Sequence, residues 1–199
     1  MPDRLLTGDR QLRAPCEPRR GVLHGALAGS LALALPAWAR AACPAFLDHS
    51  LQKLHSPDKV NLCKALGARP LLIVNTASHC GFTPQFKGLE ALHKRYGKRG
   101  LAVVGFASDD FNQEARTEQK AAEVCYVNYG VTFTMIAPSH VKGDKANPVF
   151  RELNARAGAP QWNFNKYLVS ADGASVQRFG SSVAPESGQL QAAIEALIR

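Results

Sequence analysis

Residues 70–106 read PLLIVNTASHCGFTPQFKGLEALHKRYGKRGLAVVGF, and this stretch decides the fold. It begins with the short apolar run 70–76 and ends with a second one, 101–106. Both runs have the length and composition of strands that are buried on two faces of a sheet. Between them, apolar side chains recur at helical steps of three or four: Phe86, Leu89, Leu92 and Tyr96. Two buried strands joined by a helix predict a βαβ unit with parallel strands, and therefore an α/β fold.

The helix of this unit carries boundary signals at both ends. Thr83 can cap the start with its hydroxyl oxygen, and Pro84 suits a first turn, where no N–H donor is needed. Gly97 and Gly100 mark the end, because glycine readily leaves the helical conformation. These signals predict a helix that begins directly after the segment containing Cys80.

The rest of the chain continues the alternation of helices and strands. Further strands are predicted at 129–136, 164–169 and 176–179. Further helices are predicted at 113–127, 147–157 and 189–198. Asp172 and Gly173 supply a turn that makes a hairpin of the last two strands. The pattern predicts a central mixed sheet flanked by helices, in a single domain over residues 42–199.

Composition and charge narrow the function class. The chain has 199 residues, of which 46% are hydrophobic, as expected of one globular domain with additional sequence at an end. The formal net charge is +8, and the first 41 residues contribute +3 of it. The remaining charge is spread out, without a Lys/Arg run or an interleaving of basic and aromatic residues. This distribution argues against a nucleic-acid-binding protein.

The N-terminal segment 1–41 has the order of an export signal. An arginine pair at 19–20 precedes the apolar stretch 22–35, and small residues follow up to Ala41. The apolar stretch is shorter than the roughly 20 residues that a membrane-spanning helix needs. We therefore expect cleavage after Ala41, rather than an uncleaved membrane anchor, and a location in the periplasm or outside the cell. The arginine pair also resembles a twin-arginine export signal.

Export to an oxidising compartment affects how the five cysteines are interpreted. Cys16 would leave with the signal. Cys43 and Cys63 flank the first segment of the mature chain, and we expect a structural disulfide between them that ties down the N-terminal arm. No two cysteines lie two to four residues apart, and no histidine pair stands beside them at ligand spacing. The sequence therefore predicts neither a zinc site nor another metal or cofactor.

Cys80 is the residue on which the functional prediction centres. It lies between the first strand of the βαβ unit and its helix, where free backbone N–H groups and the helix dipole favour negative charge. A thiol in that position is biased towards the thiolate, which is the form that attacks electrophiles. An inert core cysteine is the alternative, but Gly81 and the helix start that follow argue against it.

The segments around Cys80, 75–84 and 86–92, resemble the glutathione peroxidase signature around the catalytic cysteine or selenocysteine. Three further segments resemble blocks of that family, in the family order: 128–133, 146–148 and 162–169. The resemblance extends over 71–198. It implies a thioredoxin-like fold and the reduction of hydrogen peroxide or organic hydroperoxides. In that chemistry Cys80 would attack the O–O bond and become a sulfenic acid.

The resemblance also implies an active-site tetrad made of Cys80, Gln113, Trp162 and Asn163. The two amides and the indole N–H are neutral donors that can hold a thiolate and polarise the oxygens of a peroxide. The chain departs from the family pattern at 106–115, which lacks both family prolines and is one residue shorter before Gln113. The loop must therefore close differently, and a glutamine on a helix surface is the alternative.

Cys125 is the candidate for resolving the sulfenic acid within the chain. Family members with a second cysteine on the following helix form an internal disulfide, which thioredoxin-like proteins reduce. Our alignment places Cys125 one residue before that position, which Tyr126 occupies, and one residue rotates a helical side chain by about 100°. Cys125 is therefore either a core cysteine or a resolving thiol that needs the helix to unwind. In the first case glutathione or a thioredoxin-like protein would attack Cys80 directly.

Two other functions remain open for the same scaffold. A thiol-disulfide oxidoreductase usually needs Cys-x-x-Cys, and the chain has Thr83 where the second cysteine would stand. A non-catalytic binding module is the other alternative, suggested by the altered loop before Gln113. The interval 154–162 lacks the insertion associated with tetrameric family members, so the resemblance implies a monomer.

Overall fold

The structure is a computed structural model, and it describes residues 43–198. The predicted export signal, 1–41, lies outside the described residues. The strands are β1 (Ser50–Gln52), β2 (Lys59–Asn61), β3 (Leu71–Thr76), β4 (Ala102–Ala107), β5 (Thr134–Ile136), β6 (Lys166–Val169) and β7 (Val176–Phe179). The α-helices are α1 (Leu62–Leu66), α2 (Gln85–Gly97), α3 (Glu118–Ala122), α4 (Pro148–Ala157) and α5 (Gly188–Leu197). None of the helices in this part of the chain is long and apolar enough to span a membrane.

The central sheet is mixed, with the strand order β5-β4-β3-β6-β7. The predicted βαβ unit is confirmed, because β3 and β4 run parallel with Leu71 opposite Ala102. The predicted terminal hairpin is also confirmed, with Lys166 of β6 opposite Phe179 of β7. β6 pairs antiparallel with β3, which makes the sheet mixed. The predicted α/β architecture of a mixed sheet flanked by helices is therefore correct.

Strand β3 separates two apolar layers, because alternate side chains of a strand point to opposite faces. Leu72 and Val74 belong to the layer that contains apolar residues of α2 and α5. Leu71 and Ile73 belong to the layer that contains apolar residues of α4. Every residue of β3 and β4 is buried, as expected for central strands covered on both faces. The loops that follow these two strands therefore start from a fixed framework.

A disulfide between Cys43 and Cys63 anchors the N-terminal arm, as the sequence predicts. The two Cα atoms lie 5.6 Å apart, within the usual range for a disulfide. The bridge encloses a small antiparallel hairpin of β1 and β2, which the sequence analysis did not predict. These strands have three residues each, too few to show a clear alternation of apolar and polar side chains.

The predicted helix over 113–127 is wrong in its first part. Helix α3 begins only after Thr117, whose side-chain oxygen accepts a hydrogen bond from the backbone N–H of Lys120. Gln113 therefore lies in the loop that follows β4. After α3, the backbone from Glu123 to Asn128 forms a π-helix, a conformation in which each turn holds an additional residue.

Three other predicted boundaries also change. The strand expected over 129–136 is limited to β5, and the one expected over 164–169 starts at Lys166. Phe164 has a φ of +62°, which is incompatible with strand geometry. Thr83 does not cap α2, which begins at Gln85 and has no side-chain cap. Its hydroxyl is instead committed to the turn that holds Cys80.

Candidate active site

The turn after β3 holds Cys80 in a defined position. The backbone N–H of Cys80 donates to Thr83 Oγ1 at 3.0 Å, and that hydroxyl donates to the carbonyl oxygen of Ala77 at 2.9 Å. The backbone N–H of Phe82 donates to Cys80 Sγ at 3.4 Å. The Cys80 side chain is largely buried, with 6% of its surface exposed. A backbone donor directed at the sulfur favours negative charge on it.

Gln113 connects the Cys80 turn to a second segment of the site. Its backbone oxygen accepts a hydrogen bond from the N–H of His79 at 2.9 Å. Its side-chain Oε1 accepts one from Asn163 Nδ2 at 3.0 Å. The residue before it, Asn112, has a φ of +56°, and asparagine is the commonest residue after glycine in this left-handed region. The shortened loop therefore places Gln113 in contact with His79 and Asn163, and the alternative of a glutamine on a helix surface is wrong.

Asn163 is fully buried, and only one end of its amide is satisfied. Its Nδ2 donates to Gln113, whereas its Oδ1 has no hydrogen-bond partner among residues 43–198. A buried polar atom without a partner costs free energy, so such atoms are rare and often functional. Asn163 Oδ1 is therefore an unsatisfied acceptor in the interior of the site.

Trp162 lies next to Asn163 and has an exposed ring. It is 41% exposed, and its ring centroid lies 5.2 Å from that of Phe111, in the loop after β4. Lys142 Nζ lies 4.1 Å from the centroid of the Phe111 ring. The two rings and the ammonium group form a partly apolar surface that includes the tetrad residue Trp162. We call Phe111, Trp162 and Lys142 the aromatic platform.

Asn75 holds the segment that carries Trp162 and Asn163, and the sequence analysis missed this role. Its Nδ2 donates to the backbone oxygen of Trp162 at 3.0 Å, and its Oδ1 accepts from the N–H of Asn165 at 3.0 Å. Its backbone oxygen also accepts from the N–H of Phe164 at 2.6 Å. A buried amide side chain that follows four apolar residues of strand β3 was the signal for such a role.

Glu114 is a second positioning residue that the sequence analysis missed. Its Oε1 accepts hydrogen bonds from the N–H and hydroxyl of Ser78 and from the N–H of Ala115. Burial raises the pKa of the Glu114 carboxyl, and the nearby Asp109 carboxylate also raises it, while the Ser78 hydrogen bonds oppose the shift. Together with Gln113, this side chain clamps the loop after β4 onto the Cys80 turn.

Cys125 lies in the same apolar layer as Cys80, and both are free thiols. Cys125 is 3% exposed, whereas its neighbour Tyr126 is 37% exposed. Burial raises the pKa of the Cys125 thiol to about 12, and the Glu114 carboxylate adds to this shift. Cys125 therefore packs as a core residue in this conformation and is protonated at neutral pH.

The structure thus joins three of the four predicted tetrad residues by short links. Gln113 contacts the residue before Cys80 through its backbone and Asn163 through its side chain. The model of the family described as glutathione peroxidase matches residues 46–154, more than half of the chain. The chain belongs to the glutathione peroxidase family. No group of three or more residues suited to metal binding occurs within the described part of the chain.

Curated relatives agree with this membership. A glutathione peroxidase of Lactococcus lactis is 40% identical over 147 residues, which cover 71% of this chain and 92% of that protein. The glutathione peroxidase-like peroxiredoxin gpx1 of Schizosaccharomyces pombe is 42% identical, over 61% of this chain and 80% of that protein. A hydroperoxy fatty acid reductase of Synechocystis is 42% identical, over 64% and 82%. With these relatives and a free cysteine at the signature position, the chain is a thiol-dependent peroxidase.

Solved structures place the fold among thioredoxin-like proteins. The apo form of Trgpx has a TM-score of 0.61 at 28% identity, covering 78% of this chain and 97% of that one. A secreted Mycobacterium tuberculosis disulfide oxidoreductase has a TM-score of 0.54 at 18% identity, covering 76% and 98%. The second likeness shows the shared fold alone. The predicted thioredoxin-like fold is therefore confirmed.

Proposed function

We propose that Cys80 is the thiol that attacks the peroxide and that Gln113, Asn163 and Trp162 bind the peroxide beside it. The observation that carries this proposal is the double role of Gln113. Its backbone oxygen fixes His79, next to Cys80, while its side chain fixes the buried Asn163. One residue thus sets the distance between the attacking sulfur and the amides that would contact the substrate.

The polar atoms left free in the site suit a hydroperoxide. A hydroperoxide carries one O–H donor, which the unpaired Asn163 Oδ1 can accept. Because Gln113 Oε1 is already engaged, its Nε2 is the end that remains to donate to a peroxide oxygen. Trp162 adds an indole N–H donor. Such donors stabilise the negative charge that develops on the departing oxygen.

The reaction then proceeds by a two-electron transfer. The Cys80 thiolate attacks the terminal oxygen, a new S–O bond forms and the O–O bond breaks. The departing oxygen takes up a proton and leaves as an alcohol, or as water when the substrate is hydrogen peroxide. Cys80 is left as a sulfenic acid, which a second thiol must reduce. We propose that the aromatic platform favours organic hydroperoxides with an apolar chain, like that named for the Synechocystis relative.

We propose that Cys125 is this second thiol and becomes reactive when its π-helix unwinds. Cys125 belongs to the same apolar layer as Cys80. The π-helix has only six residues, and Val127 within it is 75% exposed, so its unwinding exposes little additional apolar surface. Release into water would also lower the raised pKa of the Cys125 thiol. The resulting Cys80–Cys125 disulfide would be reduced by a thioredoxin-like protein, with glutathione as the competing reductant.

Peroxide consumption with each reductant tests these assignments. The wild-type domain should consume cumene hydroperoxide with thioredoxin and thioredoxin reductase, and Cys80→Ser should abolish consumption. Cys125→Ser should reduce one equivalent of peroxide at the wild-type rate but stop turning over with thioredoxin. Equal turnover of Cys80→Ser and wild type would overturn the catalytic assignment. Full thioredoxin-supported turnover of Cys125→Ser would instead show that an external thiol resolves Cys80 directly.

We also propose that the protein is exported and acts as a monomer. The order of charged, apolar and small residues before Ala41 supports export, as does the disulfide of Cys43 and Cys63 directly after it. Expression of the full chain in a bacterial host, followed by fractionation and N-terminal sequencing, should yield a periplasmic protein that starts at Ala42. Retention of the segment in the membrane fraction would contradict this. Light scattering of the purified domain should give the mass of one chain, and a larger mass would refute the monomer.

A further inference from the structure

A cavity lies at the N-terminal ends of β4 and β5, whereas the Cys80 turn follows the C-terminal end of β3. It has a volume of about 390 Å³ and is bordered by the last turns of α2 and by the first residues of β4 and β5. Cys80 lies beyond the other end of α2, which has 13 residues. His93 is the first α2 residue that lines the cavity, and at 1.5 Å per residue the helix from Gln85 to His93 separates the two places by about 12 Å. A molecule in this cavity is therefore not positioned for the peroxidase reaction.

The cavity combines an apolar base with a basic rim. Its apolar lining includes Leu66, Leu101, Val103 and Phe133. Its rim carries the cationic side chains of Arg69, Lys94 and Lys98. The charge of Lys94 is balanced by the Glu90 carboxylate, whose Oε1 lies 3.2 Å from Lys94 Nζ. Arg69 and Lys98 have no carboxylate partner among residues 43–198, so the rim retains positive charge.

His93 adds a polar atom that lacks a partner. It lines the cavity, and its Nδ1 is buried without a hydrogen bond to any described residue. The ring meets Phe133 edge-on, with the ring centroids 6.0 Å apart, so its orientation is fixed by packing. The wall of the cavity therefore contains an unsatisfied polar atom besides its cationic rim.

We propose that this cavity binds a medium-chain fatty acid, with its carboxylate at the Lys98 and Arg69 rim and its chain on the apolar base. A volume of about 390 Å³ lies at the lower end of the range for small-molecule sites. Such sites are mainly apolar and carry a few polar groups that orient the ligand. A short apolar chain that ends in an anion matches both parts of this lining.

The test is a titration of the mature domain with decanoate, followed by two-dimensional 1H–15N NMR. Saturable shifts should appear in residues 93–98, 101–103 and 132–134, and not in the Cys80 turn. Decanol, which lacks the charge, and acetate, which lacks the chain, should each bind at least tenfold more weakly. Shifts that do not saturate, or that centre on the Cys80 turn, would overturn the proposal.

Two variants test separately whether decanoate binding depends on the positive charge of the rim and on the volume of the cavity. Lys98→Glu reverses a rim charge and should weaken decanoate binding at least tenfold, whereas the control Lys145→Glu, on an exposed loop, should not change it. A Cβ atom at Gly97 would meet His93 Nδ1 at 3.9 Å, an ordinary contact, and Gly97 does not have a positive φ. Gly97→Leu should therefore fill the cavity without straining the helix and abolish binding. Unchanged decanoate binding to Gly97→Leu, with NMR showing a folded domain, would refute the cavity as the site.

Discussion

The hydrogen bond between Gln113 and Asn163 makes a quantitative prediction for Gln113→Ala. The substitution removes the acceptor of Asn163 Nδ2, and the Asn163 Oδ1 atom is already unpaired. Leaving one more buried polar group unsatisfied costs about 1–3 kcal/mol. Loss of a donor that stabilises developing charge lowers rates by about 10²–10³ in other enzymes. We expect the second-order rate constant for oxidation by peroxide to fall by about a hundredfold.

The assay is a single-turnover stopped-flow measurement of Cys80 oxidation, in a double-mutant cycle with Asn163→Ala. Because the two side chains contact each other, the effects should not add, and the coupling energy should be at least about 1 kcal/mol. Gln119→Ala, at an exposed position of α3, is the matched control and should react like the wild type. A Gln113→Ala rate within twofold of the wild type, or additive effects in the cycle, would refute the role we give to Gln113.

Three further predictions concern stability and thiol reactivity. Cys43→Ser combined with Cys63→Ser should lower the free energy of unfolding by about 3 kcal/mol in urea, because the bridge spans 20 residues and no longer restricts the unfolded chain; an unchanged midpoint would contradict this. Burial lowers the pKa of Lys166 to about 8, so the unfolded state binds more protons between that value and the ordinary lysine pKa. Stability should therefore rise with pH across this window, by up to about 2 kcal/mol between pH 7.5 and 9.5, and Lys166→Met should remove the rise in urea unfolding curves; an equal rise in both proteins would assign it to other groups. Because burial raises the pKa of Cys125 to about 12, N-ethylmaleimide at pH 7.5 should label Cys80 at least a hundredfold faster than Cys125 in the reduced native protein; equal labelling by peptide mapping would exclude the packed state of Cys125.

The sequence predicted the framework of the site because local patterns determine it. The apolar runs at 70–76 and 101–106 became β3 and β4, and Cys80 lies in the turn between β3 and α2. The pairing of Cys43 with Cys63 followed from their position in the mature chain. These features depend on neighbouring residues or on the positions of cysteines along the chain, and both can be determined from a single sequence.

The contacts that complete the site were not predictable in the same way. Asn75 contacts residues 87 and 90 positions later in the chain, and Glu114 contacts Ser78 across a separation of 36. No local pattern encodes such contacts. The start of the helix predicted over 113–127 was wrong for a different reason: its apolar residues Ala121, Val124 and Cys125 all lie after Thr117, whose side chain caps the start of α3. Thr117 was visible in the sequence and could have located the start of α3.

The most direct test of the claim that Cys80 attacks the peroxide is peptide mass mapping after oxidation with a stoichiometric amount of peroxide. The mature domain, with Cys80 and Cys125 as free thiols and the Cys43–Cys63 disulfide intact, is treated with one equivalent of hydrogen peroxide, quenched with an alkylating reagent and digested without reductant. We predict that all oxidation involves Cys80, first as a sulfenic acid and then as a disulfide with Cys125, while Cys43 and Cys63 remain paired with each other. Consumption of the peroxide with Cys80 recovered as the alkylated free thiol would contradict the assignment of Cys80 as the attacking residue.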